Sequence, residues 1–366
     1  MTNPMDRRQF LRNGALGVAG VTVLPSLLAA CGSSSKKSGA SSGSTTTAGS
    51  GSKPKDLGTL NYQLSWIKNV EFAGEYLADT NGYYTQAGFS SVNLMAGGPN
   101  VQQDAVVAAG KAIICISAPD ISASAINQGA DNIAIGAQYQ KNPFCVMSLA
   151  SNPIKVPEDM YGKKIGVQSV NEPVWNAFIK AAKLDGSKIK KVPVQFDPQP
   201  LVNKEVDGWF SFITNEPNLL KTKGVDTVTF LLNDYGYPMV SEILVVKKSS
   251  LTSDRDKVKA ILKADIMGWH DTYKDPTAAP KLVVSKYGKD LGLTVDEQTL
   301  ESNAQNALII TDETKANGLF TMTDKLIDET ISTLGIAGIT ITKDKLFDLS
   351  VLKEVYDENP SLKVLS

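Results

Sequence analysis

The chain has 366 residues, 42% of them hydrophobic and 20% charged, with a mean hydropathy of −0.11. No run of about 20 apolar residues occurs, which excludes a multispanning membrane protein, and a formal charge of −1 leaves no basic excess for nucleic acid. Three cysteines are too few for a disulfide scaffold, and a single histidine is too few for a multi-histidine metal site.

The first segment reads as an address. Arg7-Arg8 stand just before the Gly- and Ala-rich apolar stretch 14–30, which is short for a spanning helix and suits the middle of a signal peptide. The arginine pair followed by Phe10-Leu11 resembles a twin-arginine export signal, and Leu28-Ala29-Ala30-Cys31-Gly32 resembles a bacterial lipobox, in which Cys31 becomes the lipidated N-terminus. The alternative is a buried N-terminal helix carrying a chance cysteine. Of the next 21 residues, 32–52, 17 are Ser, Thr or Gly. Such a segment buries too little apolar surface to offset ordering entropy, so residues 31–57 are expected to be a disordered tether reaching ~28 Å. The remaining body carries 30 basic and 36 acidic residues, a net −6. That balance argues against nucleic acid and against lying flat on anionic lipid, so membrane attachment is expected through the lipid alone.

From residue 60 the pattern is β–α–β–α. Alternating residues 60–66 predict a strand, 72–77 a helix stopped by Gly82, 92–95 a strand, and 101–109 a helix ended by Gly110. Strands follow at 112–116 and 132–137. The pattern restarts near 163, with strands at 164–167, 191–195, 208–213, 227–231 and 243–246, and helices at 174–182 and 218–223. Beyond it the chain is mainly helical, over 255–273, 277–287, 295–306 and 324–334. This order predicts two α/β lobes with mostly parallel sheets, and ligands in such sheets sit beyond the carboxyl ends of strands.

Those strand ends are rich in polar and aromatic residues. Leu64-Ser65-Trp66-Ile67-Lys68-Asn69-Val70-Glu71-Phe72-Ala73-Gly74, then Asn81-Gly82-Tyr83-Tyr84, Val206-Asp207-Gly208-Trp209, Thr214-Asn215-Glu216-Pro217 and Asp234-Tyr235-Gly236-Tyr237 occur in an order and spacing that resemble the SsuA/THI5-like (NMT1-like) solute-binding proteins. The resemblance covers about residues 58–250 well and the helical remainder in outline. It implies a type II periplasmic-binding-protein fold, two α/β lobes hinged by two crossings around a ligand cleft. By this analogy lobe one is 58–138 plus 245–366, and lobe two is 139–244. It further implies an extracytoplasmic, monomeric, lipid-anchored binding protein that hands a small molecule to an ABC permease and its ATPase, with no catalytic residue, cofactor or metal.

The candidate ligand residues are Trp66, Asn69, Glu71, Gly98 and Ser117 in lobe one, Gln168, Ser169, Trp175, Asn215 and Glu216 in lobe two, and Asp234 and Tyr235 near the second crossing. Trp66 can stack on a planar ring or simply fill a core, and Asn69 and Glu71 can hold a heterocycle edge or cap a helix. Gly97-Gly98-Pro99-Asn100 can present backbone N–H groups or form a plain turn. Glu216-Pro217 also suits a helix start. Without concentrated arginine, these loops favour a neutral or cationic planar heterocycle, a thiamine pyrimidine precursor or riboflavin, over a sulfonate- or nitrate-type anion. A THI5-like pyrimidine enzyme is the alternative, but the lone His270 falls mid-helix, outside the loop set. Cys115 and Cys145 read as buried free thiols, with pairing after export left open.

Overall fold

The computed structural model describes residues 55–365; the signal-like segment, Cys31 and most of the tether lie outside the described residues. Ten strands build two sheets: β1 (Gly58–Gln63), β2 (Phe89–Met95), β3 (Ile114–Ser117), β4 (Asn132–Tyr139), β5 (Phe144–Leu149), β6 (Lys164–Gln168), β7 (Lys190–Val194), β8 (Gly208–Phe212), β9 (Thr227–Leu231) and β10 (Ser241–Lys247). The first sheet has the order β2-β1-β3-β10-β4 and the second β7-β6-β8-β5-β9. This is the two-lobed periplasmic-binding-protein architecture, an α/β arrangement of mixed sheets covered by helices.

Each sheet is parallel except for one strand. β10 runs antiparallel between β3 and β4, and β5 antiparallel between β8 and β9. Both odd strands are the ones that arrive straight from the other lobe, so the chain enters each sheet against its grain. The two crossings are 140–143 and 232–240, and Asn142 Nδ2 ties them by donating to the Tyr237 carbonyl at 3.2 Å. The lobe boundary expected at 244/245 falls inside β10, which belongs whole to the first sheet because Ser241 already pairs with Tyr139.

The helices that matter for the site are α1 (Ala73–Thr80), α2 (Gln103–Ala108), α3 (Pro119–Asn127), α4 (Glu172–Ala181), α5 (Glu216–Thr222), α6 (Arg255–Lys274), α7 (Val295–Ile309), α8 (Asp324–Ile336) and α9 (Ser350–Glu358). Most fall within a few residues of the periodicity-based expectations. Expected helix 277–287 is instead a short α-helix, Ala278–Leu282, running into a π turn, Val283–Tyr287. β5 and α9 were not among the predicted elements. β5 is buried along almost all its length and so shows no alternation to read.

The lobe-one core gathers Leu60, Tyr62, Phe72, Tyr76, Ile261 and Trp269 between sheet and helices. Here α1 and α6 approach so closely that a Cβ on Gly268 would lie 2.0 Å from the Gly74 carbonyl oxygen, and one on Gly74 would strike the Trp269 ring. A backbone atom cannot yield as a side chain can, and overpacking of this kind costs about 1–3 kcal/mol or more. Gly268→Ala is therefore expected to lower unfolding stability by at least about 2 kcal/mol, read as a reduced denaturant midpoint with little change in slope. Gly335→Ala, at a helix position with open space around it, is the control expected to leave the midpoint unlowered.

Candidate functional site

The carboxyl ends of β1, β3, β6 and β8 converge on a small cavity of about 40 Å³ between the two sheets. Lobe one supplies Ser65, Trp66, Glu71, Gln103, Ser117 and Glu242 to its wall. From lobe two come Phe144, Gln168, Asn171, Phe210, Phe212 and, at the start of α5, Asn215 and Glu216. The lining contains three carboxyl groups and no Lys, Arg or His.

Those carboxyls are almost entirely out of water, with Glu71 and Glu242 each 2% exposed and Glu216 4%. Ser65 Oγ lies 3.0 Å from Glu71 Oε1 and 2.8 Å from Glu242 Oε2. One hydroxyl carries one proton, so both contacts are satisfied only if a carboxyl proton donates to Ser65 Oγ in return. Burial is the main force raising the pKa of all three groups, taking Glu71 and Glu216 to about 7 and Glu242 well above the ordinary carboxyl range. Repulsion between Glu71 and Glu242 adds to the rise at Glu242. Ser211 Oγ donates to Glu216 Oε2 at 2.6 Å, and the Phe212 N–H at 3.3 Å, while Oε1 receives no hydrogen bond from the described residues. Glu242 sits in β10 at φ +46°, a left-handed conformation uncommon for a side-chain-bearing residue.

The rest of the wall combines uncharged polar side chains, aromatic rings and the aliphatic Ala118, Ile121 and Val170. Gln103 is 2% exposed, donates to Ser117 Oγ at 3.4 Å and holds a buried Oε1 with no partner. Ser117 in turn donates to Asp104 at 2.5 Å, a carboxylate further held by Ser122 and Asn132. Gln168 is oriented by donating to the Phe210 carbonyl at 3.1 Å and accepting from Asn171 at 3.0 Å. Phe144 stacks on Phe210 (centroids 4.9 Å apart) and meets Phe212 edge-on at 4.5 Å, forming an aromatic floor.

Six of the twelve sequence candidates come together in this cavity: Trp66, Glu71, Ser117, Gln168, Asn215 and Glu216. The other six lie elsewhere, each for a visible reason. Asn69 is turned away to donate to Glu301 Oε1 at 2.8 Å, and it caps no helix through its side chain. Gly98 lies in a loop whose neighbour Pro99 accepts from the Val170 N–H of lobe two at 2.9 Å, so the loop joins the lobes. Ser169 is exposed between lining residues. Trp175 packs edge-on against Phe210, at 5.7 Å. Asp234 is exposed and pairs with Lys141 at 3.6 Å, and Tyr235 packs against Phe230. His270 is buried in α6, where burial pushes its pKa down, and lines no part of the cavity. Cys115 and Cys145 are free, buried and in different sheets.

The lining residues not anticipated from sequence are chiefly Glu242, Gln103 and the three phenylalanines. Glu242 precedes the run Ile243-Leu244-Val245-Val246 and looks like the polar edge of a strand. Its one legible signal is a lone carboxylate beside a wholly apolar run. Among the described residues no group of three or more His, Cys, Asp or Glu is placed to hold a metal ion.

The chain is 24% identical over 250 residues to a formylaminopyrimidine-binding protein of Halalkalibacterium halodurans, covering 63% of this chain and 71% of that protein. It is 23% identical over 222 residues to the riboflavin-binding protein RibY of Chloroflexus aurantiacus, covering 59% of this chain and 63% of that one. In fold it is similar to the ligand-binding component of an ABC-type import system from Staphylococcus aureus, with a TM-score of 0.60 at 11% identity over 81% of this chain and 98% of that one. The family described as NMT1/THI5 like matches residues 69–279, more than half of the sequence, and the chain belongs to that family.

Proposed function

We propose that the chain is an extracytoplasmic solute-binding protein of an ABC importer that captures a flat nitrogen heterocycle with an N–H donor edge, an aminopyrimidine of the thiamine-precursor kind or a flavin. The observation that carries this reading is the cavity wall: three buried carboxyls and an unpartnered amide oxygen facing an aromatic floor, with no cation. A sulfonate or nitrate would meet these carboxyls without a positive partner, at a desolvation cost the site cannot offset. A heterocycle brings N–H donors to the carboxyls on its edges and a flat face to Trp66 or Phe210. The names of the two relatives, one binding a formylaminopyrimidine and one riboflavin, support the same class. Lipidation at Cys31 with the Ser/Gly/Thr tether would hold the protein at the outer face of the cell membrane, within reach of its permease.

Closure follows from the placement of the acceptors. Glu71 and Glu242 belong to lobe one and Glu216 to lobe two, so a ligand satisfying both sides binds the closed form better than an open one. Closed lobes also meet directly, through Val170 N–H to the Pro99 carbonyl and Asn100 Nδ2 to Gln195 Oε1 at 3.3 Å.

The full-length chain, titrated calorimetrically, is expected to bind 4-amino-5-hydroxymethyl-2-methylpyrimidine or riboflavin and to ignore ethanesulfonate and nitrate. At 100 times its dissociation constant the bound heterocycle should add about 2.7 kcal/mol to stability. Glu216→Gln, which keeps the shape and removes the charge, is expected to weaken binding by about 10- to 100-fold, the worth of a charged hydrogen bond. Trp66→Ala should weaken it by about tenfold without unfolding the protein. Binding of the anions in place of any heterocycle would end this reading.

The carboxyls also set a pH dependence. Glu216 titrates near 7 in the folded protein against an ordinary 4.5, so between those values the native state holds a proton that the unfolded chain has released. Its stabilising contribution is complete below about pH 4.5 and is lost as pH rises through 7, a change of about 3 kcal/mol for this group. Glu71 acts in the same direction. The ligand-free protein is therefore expected to melt at a lower temperature at pH 8 than at pH 5.5, Glu216→Gln should flatten that slope, and heterocycle affinity should rise with pH over the same interval. A ligand-free melting temperature that climbs from pH 5.5 to 8 would contradict the buried, cation-free arrangement.

A further inference from the structure

A second compartment opens beside the first. It has a volume of about 370 Å³, shares Trp66, Asn215 and Glu216 with the wall of the inner cavity, and is walled on its far side by the α7 N-terminus and the end of α5. Its chemistry differs from that of the inner cavity. Ile67, Leu219 and Leu293 give it an aliphatic lining, while the exposed Asp197, Thr222, Lys223 and Asp296 supply both donors and acceptors. Lys223 is the one cation lining either compartment. Asn69, 1% exposed, forms part of the same wall, and its Oδ1 is buried without a hydrogen-bond partner.

We propose that this outer compartment is a second subsite, for a neutral hydroxyl-bearing chain attached to the ring that the inner cavity holds. The inference rests on the reading of the inner cavity given above and refines its ligand class. A hydroxylated chain has C–H faces for the aliphatic wall and hydroxyls that both donate and accept, which is what Lys223, Thr222 and the two aspartates require. An anionic chain would face Asp197 and Asp296, and a purely apolar one would leave the polar half of the lining unused. A bare pyrimidine held in the inner cavity would leave the outer one to solvent.

The test compares riboflavin, which carries a ribityl chain, with lumiflavin, the same ring with a methyl group in its place, by calorimetric titration of the full-length chain. Riboflavin is expected to bind at least tenfold more tightly. Thr222→Trp, which fills the compartment from an exposed helix end, and Lys223→Ala are each expected to remove most of that advantage while leaving lumiflavin affinity unchanged. Equal affinities for the two flavins, or variants that weaken both alike, would overturn the second subsite and leave the inner one standing. Binding of 4-amino-5-hydroxymethyl-2-methylpyrimidine with neither flavin bound would do the same. Failure of all three compounds to bind would remove the inner-cavity reading, and the outer subsite with it.

Discussion

Three glutamates held out of water around one cavity, with no cation to answer them, are the condition that the rest of the site has to meet. An isolated ionised carboxylate in such surroundings costs several kcal/mol, and a protein escapes that cost by protonating the group or by pairing it. In the ligand-free chain protons do this work: Ser65 bridges Glu71 and Glu242 and has a hydroxyl proton for only one of them. A ligand that offers N–H donors can take over from those protons. On the proposed reading the wall exchanges bound protons for a bound molecule, and a low-dielectric cleft strengthens every hydrogen bond so formed. The left-handed backbone at Glu242 fits the same account, since strain of about 1–3 kcal/mol at one residue persists only where the surroundings over-determine it. Here the surroundings are the paired strand residues on either side, Ser241 and Ile243, which lock β10 onto β4.

The topology explains why these residues meet. β10 returns from lobe two and inserts antiparallel in the first sheet, so its beginning, where Glu242 sits, lies level with the carboxyl ends of its parallel neighbours. β5 repeats the arrangement in the second sheet and brings Phe144 to the cavity in the same way. Each lobe thus receives one wall residue from the strand that has just crossed the hinge. Tyr237, in the second crossing, donates to Asp120 Oδ2 of α3 at 2.5 Å, so the hinge is also fastened to the lobe it serves. The connection between the lobes and the assembly of the wall depend on the same two segments of chain.

How much of this could be read in advance follows from where the information resides. The alternation of strand and helix, and the loops after β1, β3, β6 and β8, were legible because hydrophobic period and turn residues are local properties, and they led to Trp66, Glu71, Ser117, Gln168, Asn215 and Glu216. Phe144, Phe210 and Phe212 were not legible as wall residues, since a phenylalanine that ends a buried strand looks the same whether it meets a ligand or a core. Asp234 and Tyr235 carried polar and aromatic chemistry at the right point in the chain, but the 3-10 turn at Leu232–Tyr235 points that chemistry toward Lys141 and Phe230. The antiparallel insertions of β5 and β10 are long-range facts, invisible to a reading that assigns direction from β–α–β order alone.

Asn69 shows the limit most clearly. Its type and position suggested a ligand contact or a helix cap, and its amide instead donates to Glu301, 232 residues away. Glu301 belongs to a polar face of α7 (Glu297, Gln298, Glu301, Ser302 and Gln305) that is buried at helical spacing where an amphipathic helix would bury apolar residues. That face satisfies the loop behind the cavity. Gln298 Oε1 accepts from the Val70 N–H at 2.6 Å, Gln305 Nε2 donates to the Val70 carbonyl at 2.9 Å, and Tyr139 of β4 donates to Gln305 at 2.8 Å. A loop leaving a strand has backbone groups that no neighbouring strand pairs, and burying them unpaired would cost as much as the site gains. Side chains of α7 supply those partners at Val70, midway between Asn69 and Glu71, and so help fix the segment 66–71 that places Trp66 and Glu71 in the wall. The polarity of α7 is thus the support that lets an otherwise irregular loop stand rigidly at the mouth of a buried, acidic cavity.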